Sequence, residues 1–146
     1  MEYVIGLDLG TGTIKGIAID SNGEILAKHS EVYKLYTEGN GYSEQNPEDW
    51  YEASLKVLKK IVLDLNGYNL KAISISGQMH SLVLLDKEYN VIRRSILWND
   101  TRNTKECNYV MERMGERIID ITGNKCLEGF TLPKILWVKE NEPSNW

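Results

Sequence analysis

Cysteine, histidine and clustered positive charge are all scarce in this chain, and each scarcity closes off a class of function. There are 2 cysteines and 2 histidines in 146 residues. Cys107 and Cys126 are far apart, with no CxxC and no histidine at metal-ligand spacing, which argues against a zinc site and against a disulfide framework. They read as reduced, structural thiols. Lys and Arg total 17 against 21 Asp and Glu, a net charge of −4. No basic cluster supplies the electrostatic footprint of a nucleic-acid binder. The aromatic residues form no stacking stripe. No apolar run approaches the length of a membrane span, and MEYVIGLDLG lacks a basic n-region, a long apolar core and a small-residue cleavage site. The sequence therefore predicts a cytoplasmic protein with neither nucleic acid nor membrane as partner.

What is present is a hydrophobic content of 42%, enough for a core in one folded unit. Val4 to Leu9 and Thr13 to Asp20 are apolar or β-branched runs of strand length, and Asp20-Ser-Asn-Gly23 is a turn before a third run, EILAKHSEVY. The chain opens as an antiparallel meander. Asn46-Pro47-Glu48-Asp49 then supplies a cap, a proline at the first helical position and acids where the helix dipole favours them. Trp50, Ala53, Ser54, Val57, Leu58, Ile61 and Leu65 lie on one face of the helix that follows, which ends near Asn66-Gly67.

KAISIS (71–76) reads as a short buried strand. LVLLD and VIRRSILW, joined by KEYN, read as a hairpin. Helices are predicted from Thr101 to about Gly115 and, behind a Thr cap and an early Pro, from Thr131 to about Asn141. The order β-β-β-α-β with further helices predicts an α/β fold, a three-stranded meander followed by strands alternating with helices.

The first meander turn lies within GLDLGTGTIKG (6–16). A Walker A loop needs GxxxxGK[ST] opening a helix, and a dinucleotide fingerprint needs GxGxxG between strand and helix. Here a strand follows, so both are excluded. The backbone amides around Gly10 and Gly12, the hydroxyls of Thr11 and Thr13 and the ammonium of Lys15 form a set that can wrap phosphate oxygens. Asp8 at the mouth of such a loop repels phosphate unless a divalent cation lies between them, which predicts Mg²⁺. The competing reading is a tight turn in which Asp8 is a cap and the glycines supply positive φ.

GQMH (77–80) follows the KAISIS strand, where an α/β sheet presents ligand-facing residues. Gln78 and His80 can hydrogen-bond hydroxyls and Met79 can pack on an apolar edge, the makings of a sugar or polyol pocket. A structural histidine is the plainer reading of His80, and His29, on an exposed strand, carries no functional claim. In WNDTR, Asp100 or Thr101 reads as a helix cap and Arg102 as solvated or paired with Asp100. Alternatively, Trp98 walls the pocket while Asp100 and Arg102 contact or orient the substrate.

DLGTGTIK, YSEQNPEDWYEA, ISGQMHSLVLLD, ILWNDTR, ITGN and FTLPKILWVKENEP together resemble, in order and spacing, the N-terminal domain of the FGGY carbohydrate kinases over nearly the whole chain. QMH followed by WND resembles the branch acting on xylulose more than those acting on gluconate or glycerol. The resemblance implies an actin-like, ribonuclease-H-like fold, ATP and Mg²⁺ as cosubstrates, and phosphorylation of D-xylulose on its 5-hydroxyl. It implies that Asp8 holds the metal near the transferring phosphoryl group, that Thr11, Gly12, Thr13 and Lys15 contact nucleotide phosphates, and that Met79 and His80 bind the ketose. Gln78, Asp100 and Arg102 follow as further substrate contacts.

In that family the general base lies in a GGGDN-like segment and the adenine pocket belongs largely to a second domain, and neither occurs in residues 1–146. The expectation is therefore a fragment, the first part of the sugar-binding domain, with little or no turnover of its own. Its sheet would end on an exposed edge able to pair with a second copy. Two alternatives stay open: a kinase of another sugar or sugar acid, and a non-catalytic actin-like binding module.

Overall fold

The computed structural model describes residues 1–146. Its elements are β1 (Glu2–Leu9), β2 (Thr13–Ile19), β3 (Ile25–Val32), β4 (Glu44–Gln45), α1 (Pro47–Asp64), β5 (Asn69–Ser76), β6 (Ser95–Ile96), α2 (Thr104–Met114), α3 (Glu116–Thr122) and α4 (Thr131–Asn141). Where composition predicts one folded unit, the contacts divide the chain into two, Met1–Lys34 with Glu48–Gln78 and Leu35–Pro47 with Met79–Trp146.

The first unit is a four-stranded sheet in the order β3-β2-β1-β5. The meander expected from the sequence is there, with β1 antiparallel to β2 and β2 antiparallel to β3. Asp20 closes its second turn, the carboxylate accepting from the Asn22 and Glu24 amides at 2.8 and 3.0 Å, while Gly23 supplies a φ of 84°. After α1 the chain returns as β5, parallel to β1, the pairing that a crossover helix permits.

Strand alternation sends Tyr3, Ile5, Leu7, Ile14 and Ala18 to one sheet face, where Ala53, Val57 and Ile61 of α1 complete a buried cluster. Each fully buried Val, Leu or Ile contributes roughly 1.5–3 kcal/mol. Gly16 makes the close approach possible, since a Cβ there would lie 2.4 Å from Val57 Cγ1 and 2.9 Å from Ile61 Cδ1.

The strand predicted as buried behaves differently. β5 is at the sheet edge with all but Leu70 exposed, because only β1 pairs with it and the α1 cluster draws its buried sheet residues from β1 and β2. The opposite sheet face is open as well, a shallow depression of about 660 Å³ bordered by Asp8 and Lys15 among apolar side chains.

In the second unit β4 pairs with β6. The predicted hairpin is antiparallel, but it is held by the isolated bridges Leu82–Ile96 and Leu85–Val91 and does not form long strands. The Asp86 carboxylate ties its tip to the Glu88 and Asn90 amides. α4 serves two small cores: Ile135, Trp137 and Val138 join Leu82 and Ile96, while Leu136 packs against the cluster of Cys107, Val110, Ile118 and Cys126.

One predicted helix start and one predicted cap are corrected, while α4 runs from Thr131 to Asn141 as expected. α2 begins at Thr104 behind Asn103, not at Thr101, because the Asp100 carboxylate is already taken by other donors. α4 has Phe130 at its N-cap, because the Thr131 hydroxyl turns away to the His80 carbonyl, 3.2 Å distant.

Candidate functional site

The phosphate-loop candidate lies wholly in the first unit. Gly10 N–H donates to the Thr13 carbonyl at 3.0 Å, closing the turn between β1 and β2. The Gly10 carbonyl is pinned from two sides, by the Tyr33 hydroxyl just beyond β3 and by the Gln78 amide at 3.3 Å just beyond β5. Gln78, expected beside the sugar, is thus brought to the loop. Burial and the nearby Asp8 carboxylate push the Tyr33 phenol up to about 12, so at neutral pH it is a donor and never a competing anion.

Neither loop glycine has a positive φ, which removes the tight-turn explanation for them. A Cβ on Gly10 would approach the Thr13 carbonyl to 3.1 Å, whereas a Cβ on Gly12 would meet nothing within 4 Å. Folding therefore leaves Gly12 unexplained, with open space against its backbone that a ligand could enter.

Asp8 and Lys15 stand directly opposite each other across β1 and β2, both exposed on the open face. No group of three or more His, Cys, Asp or Glu side chains gathers anywhere to cage a metal. One exposed carboxylate beside a candidate phosphate loop has the chemistry Mg²⁺ needs, since that ion keeps waters and takes one or two carboxylates together with substrate phosphates.

The sugar-pocket candidate lies in the second unit. His80 is 51 residues from Thr131, yet its carbonyl accepts from the Thr131 hydroxyl and from the Lys134 ammonium at 3.1 Å. Its ring meets Phe130 edge to face, centroids 4.8 Å apart. Ser81 Oγ accepts from the Trp98 amide at 3.2 Å, and a Cβ on Gly129 would lie 3.2 Å from the Trp98 carbonyl. Met79, His80, Trp98, Gly129 and Phe130 therefore converge. Met79 is 77% and Trp98 49% exposed, an open rim of imidazole, thioether and indole suited to the CH faces and hydroxyls of a small sugar.

Asp100 and Arg102 sit beneath this rim rather than on it. Asp100 is fully buried, and its carboxylate accepts from Ser43 N–H at 2.6 Å, Arg102 Nε at 2.9 Å and Arg102 Nη2 at 2.7 Å. The Arg102 side chain is 2% exposed and also pairs with Glu44 at 2.8 Å, stacking over Tyr42 at 3.6 Å. Burial pulls its guanidinium down, but Asp100 and Glu44 outweigh that and hold it above its ordinary value. Of the two sequence readings of Arg102, the structure has the pair with Asp100. The cap expected at Asp100 is not made, since Asn103 holds that position.

Three residues that matter here escaped the sequence reading. Tyr33 and Glu44 carry no local signal, because their partners are distant in sequence. Lys134 offered a faint one, a lysine inside the apolar run LPKILWV.

Residues 3–146 match the FGGY family of carbohydrate kinases, N-terminal domain. The chain is 51% identical over 145 residues to a xylulose kinase of Bacillus subtilis, the match covering 98% of this chain and 29% of that protein. The chain thus spans under a third of the relative's length. A ligand-bound xylulose kinase from Lactobacillus acidophilus superposes with a TM-score of 0.91 at 29% identity, over 99% of this chain and 29% of that one. A Plasmodium falciparum glycerol kinase with ADP superposes with a TM-score of 0.90 at 20% identity, over 99% of this chain and 30% of that one, and shows the fold alone. The meander with one parallel strand is the α/β, actin-like architecture of these kinases, and with the match running over nearly every residue, the chain belongs to the FGGY family of carbohydrate kinases as its N-terminal domain.

Proposed function

We propose that this chain is the nucleotide-phosphate and sugar-binding part of a kinase that transfers the γ-phosphoryl group of ATP to the 5-hydroxyl of D-xylulose in the cytoplasm. The observation carrying this reading is the pairing of an unexplained Gly12, beside Asp8 and Lys15, with an exposed His80–Trp98 rim in a chain 51% identical to a xylulose kinase.

In this reading the amides of Gly10 and Gly12 and the hydroxyls of Thr11 and Thr13 hold phosphate oxygens, and Lys15 adds a cation. Asp8 would hold Mg²⁺, which when bound neutralises charge developing on the phosphoryl oxygens. Gln78 and Tyr33 keep the loop carbonyl facing inward, so that the amides face the ligand. His80 hydrogen-bonds a ketose hydroxyl, Met79 and Trp98 pack on its carbon skeleton, and Asp100 with Arg102 holds the Trp98 segment in place. Phosphoryl transfer depends on such positioning more than on covalent chemistry by the protein. Residues 1–146 lack the GGGDN-like segment that holds the general base in this family, so binding without sustained turnover is expected of them. The exposed β5 edge, with Ile75 64% exposed, is proposed to pair with a second copy. Sedimentation as a monomer at all concentrations would remove that part.

Calorimetric titration with D-xylulose, D-gluconate and glycerol tests the assignment. Saturable binding of xylulose, lost in His80→Ala, is the expected result. Tighter binding of gluconate or glycerol would transfer the substrate to another sugar kinase, and indifference of xylulose binding to His80 would remove the pocket.

A further inference from the structure

His80 is one of only two non-glycine residues with positive φ, 64°, a left-handed conformation that few non-glycine residues adopt, histidine among the more tolerant. The surroundings here are specific. Its carbonyl takes two donors from α4, the Lys134 ammonium at 3.1 Å and the Thr131 hydroxyl at 3.2 Å. Lys134 is fully buried and extends its remaining hydrogen bonds to the carbonyls of Gly129 and Phe130. It pairs with no carboxylate within salt-bridge distance; Asp100 acts on it only at longer range. Burying an ammonium without a paired anion is costly, and core packing alone would be served by methionine or leucine. The three carbonyls it gathers are those of the segments that build the His80–Phe130 pair.

We infer that Lys134, seconded by Thr131, is a positioning residue: it pulls the carbonyls of His80, Gly129 and Phe130 onto one buried ammonium, holds His80 in the left-handed conformation, and so presents its imidazole against Phe130 for the sugar. The inference rests on the sugar-site reading of His80 for its purpose, but its geometry stands apart from that reading. Lys134 touches no substrate. Its contribution is to fix which way the imidazole faces before the sugar arrives, which lowers the ordering cost of binding.

The test is NMR of the 146-residue chain. In the wild type the His80 ring protons are displaced by the Phe130 ring current, and Phe130→Leu identifies that displacement. In Lys134→Met, which keeps the length and volume of the side chain while removing the donors, the displacement is expected to collapse while the methyl signals of Leu82 and Val138 stay dispersed. D-xylulose affinity is expected to fall at least tenfold. A folded Lys134→Met chain that retains the His80 displacement overturns the inference. If Lys134→Met does not fold, Thr131→Val decides: it removes one donor to the same carbonyl, and an unchanged His80 signal overturns the inference equally. Should the wild type bind no xylulose, the proposed function fails, and the ring-current result still settles the clamp.

Discussion

Replacing Asp100 by asparagine probes the most heavily engaged buried charge in the second unit. The side chain keeps its volume, so no cavity forms and any loss is electrostatic. Asp100 is fully buried and its carboxylate accepts from the Ser43 and Arg102 amides and from Arg102 Nε and Nη2. An amide supplies only one oxygen for these donors and turns an NH₂ toward the others. Arg102, 2% exposed, is left with Glu44 alone. Removing one partner of a buried pair costs about 3–5 kcal/mol, and the Glu44 pairing that remains on Arg102 keeps the loss toward the lower end of that range. For a chain of this size that is a fall in Tm on the order of 10 °C. Urea unfolding followed by tryptophan fluorescence reads the effect where it matters, since Trp98 lies two residues away and Trp137 is 4.8 Å from the Arg102 guanidinium. The double variant Asp100→Asn, Arg102→Met is expected to lose much less than the sum of its parts. A single-variant loss under about 1 kcal/mol, the range of exposed ion pairs, would refute the claim that this pair organises the segment carrying Trp98.

Gly16→Ala is expected to destabilise the chain by about 1–3 kcal/mol through overpacking against Val57, 2.4 Å from the new methyl; a partial rescue by Val57→Ala in a denaturation series checks the contact, and additivity of the two would count against it. Lys134, lowered by burial to about 8 from an ordinary 10.5, binds its proton less readily folded than unfolded. Between those two values the unfolded chain therefore holds the extra proton, and wild-type stability should rise with pH relative to Lys134→Met, while a difference that is flat from pH 8 to 10 would contradict the burial. Cys107, its thiol pushed up to about 12 mainly by burial with Cys126 beside it, should resist a disulfide reagent at pH 8 until urea opens the fold; rapid labelling of the native chain would mean the α2–α3 core is open.

The sequence by itself determined the local elements. The apolar and β-branched runs of β1 and β2, the Asn46-Pro47 start of α1 and its apolar face from Ala53 to Ile61 depend on neighbours within a few residues, so they are legible in order. The stretch proposed as a phosphate loop is local for the same reason, since Asp8 to Lys15 is contiguous. Only the tertiary structure decided what distant segments do to one another. It made KAISIS an exposed edge, because burial of a strand depends on what lies on both sides of it. It moved Gln78 to the loop, buried the Asp100–Arg102 pair and gave it Ser43 and Glu44 as further partners, and turned the Thr131 hydroxyl from α4 to His80. At Asp100 and Thr131 a near cap competes with a distant partner for one hydrogen-bonding group. Local sequence names only the near partner, while burial makes the far one worth more, because an unsatisfied polar group inside the fold costs more than a cap contributes.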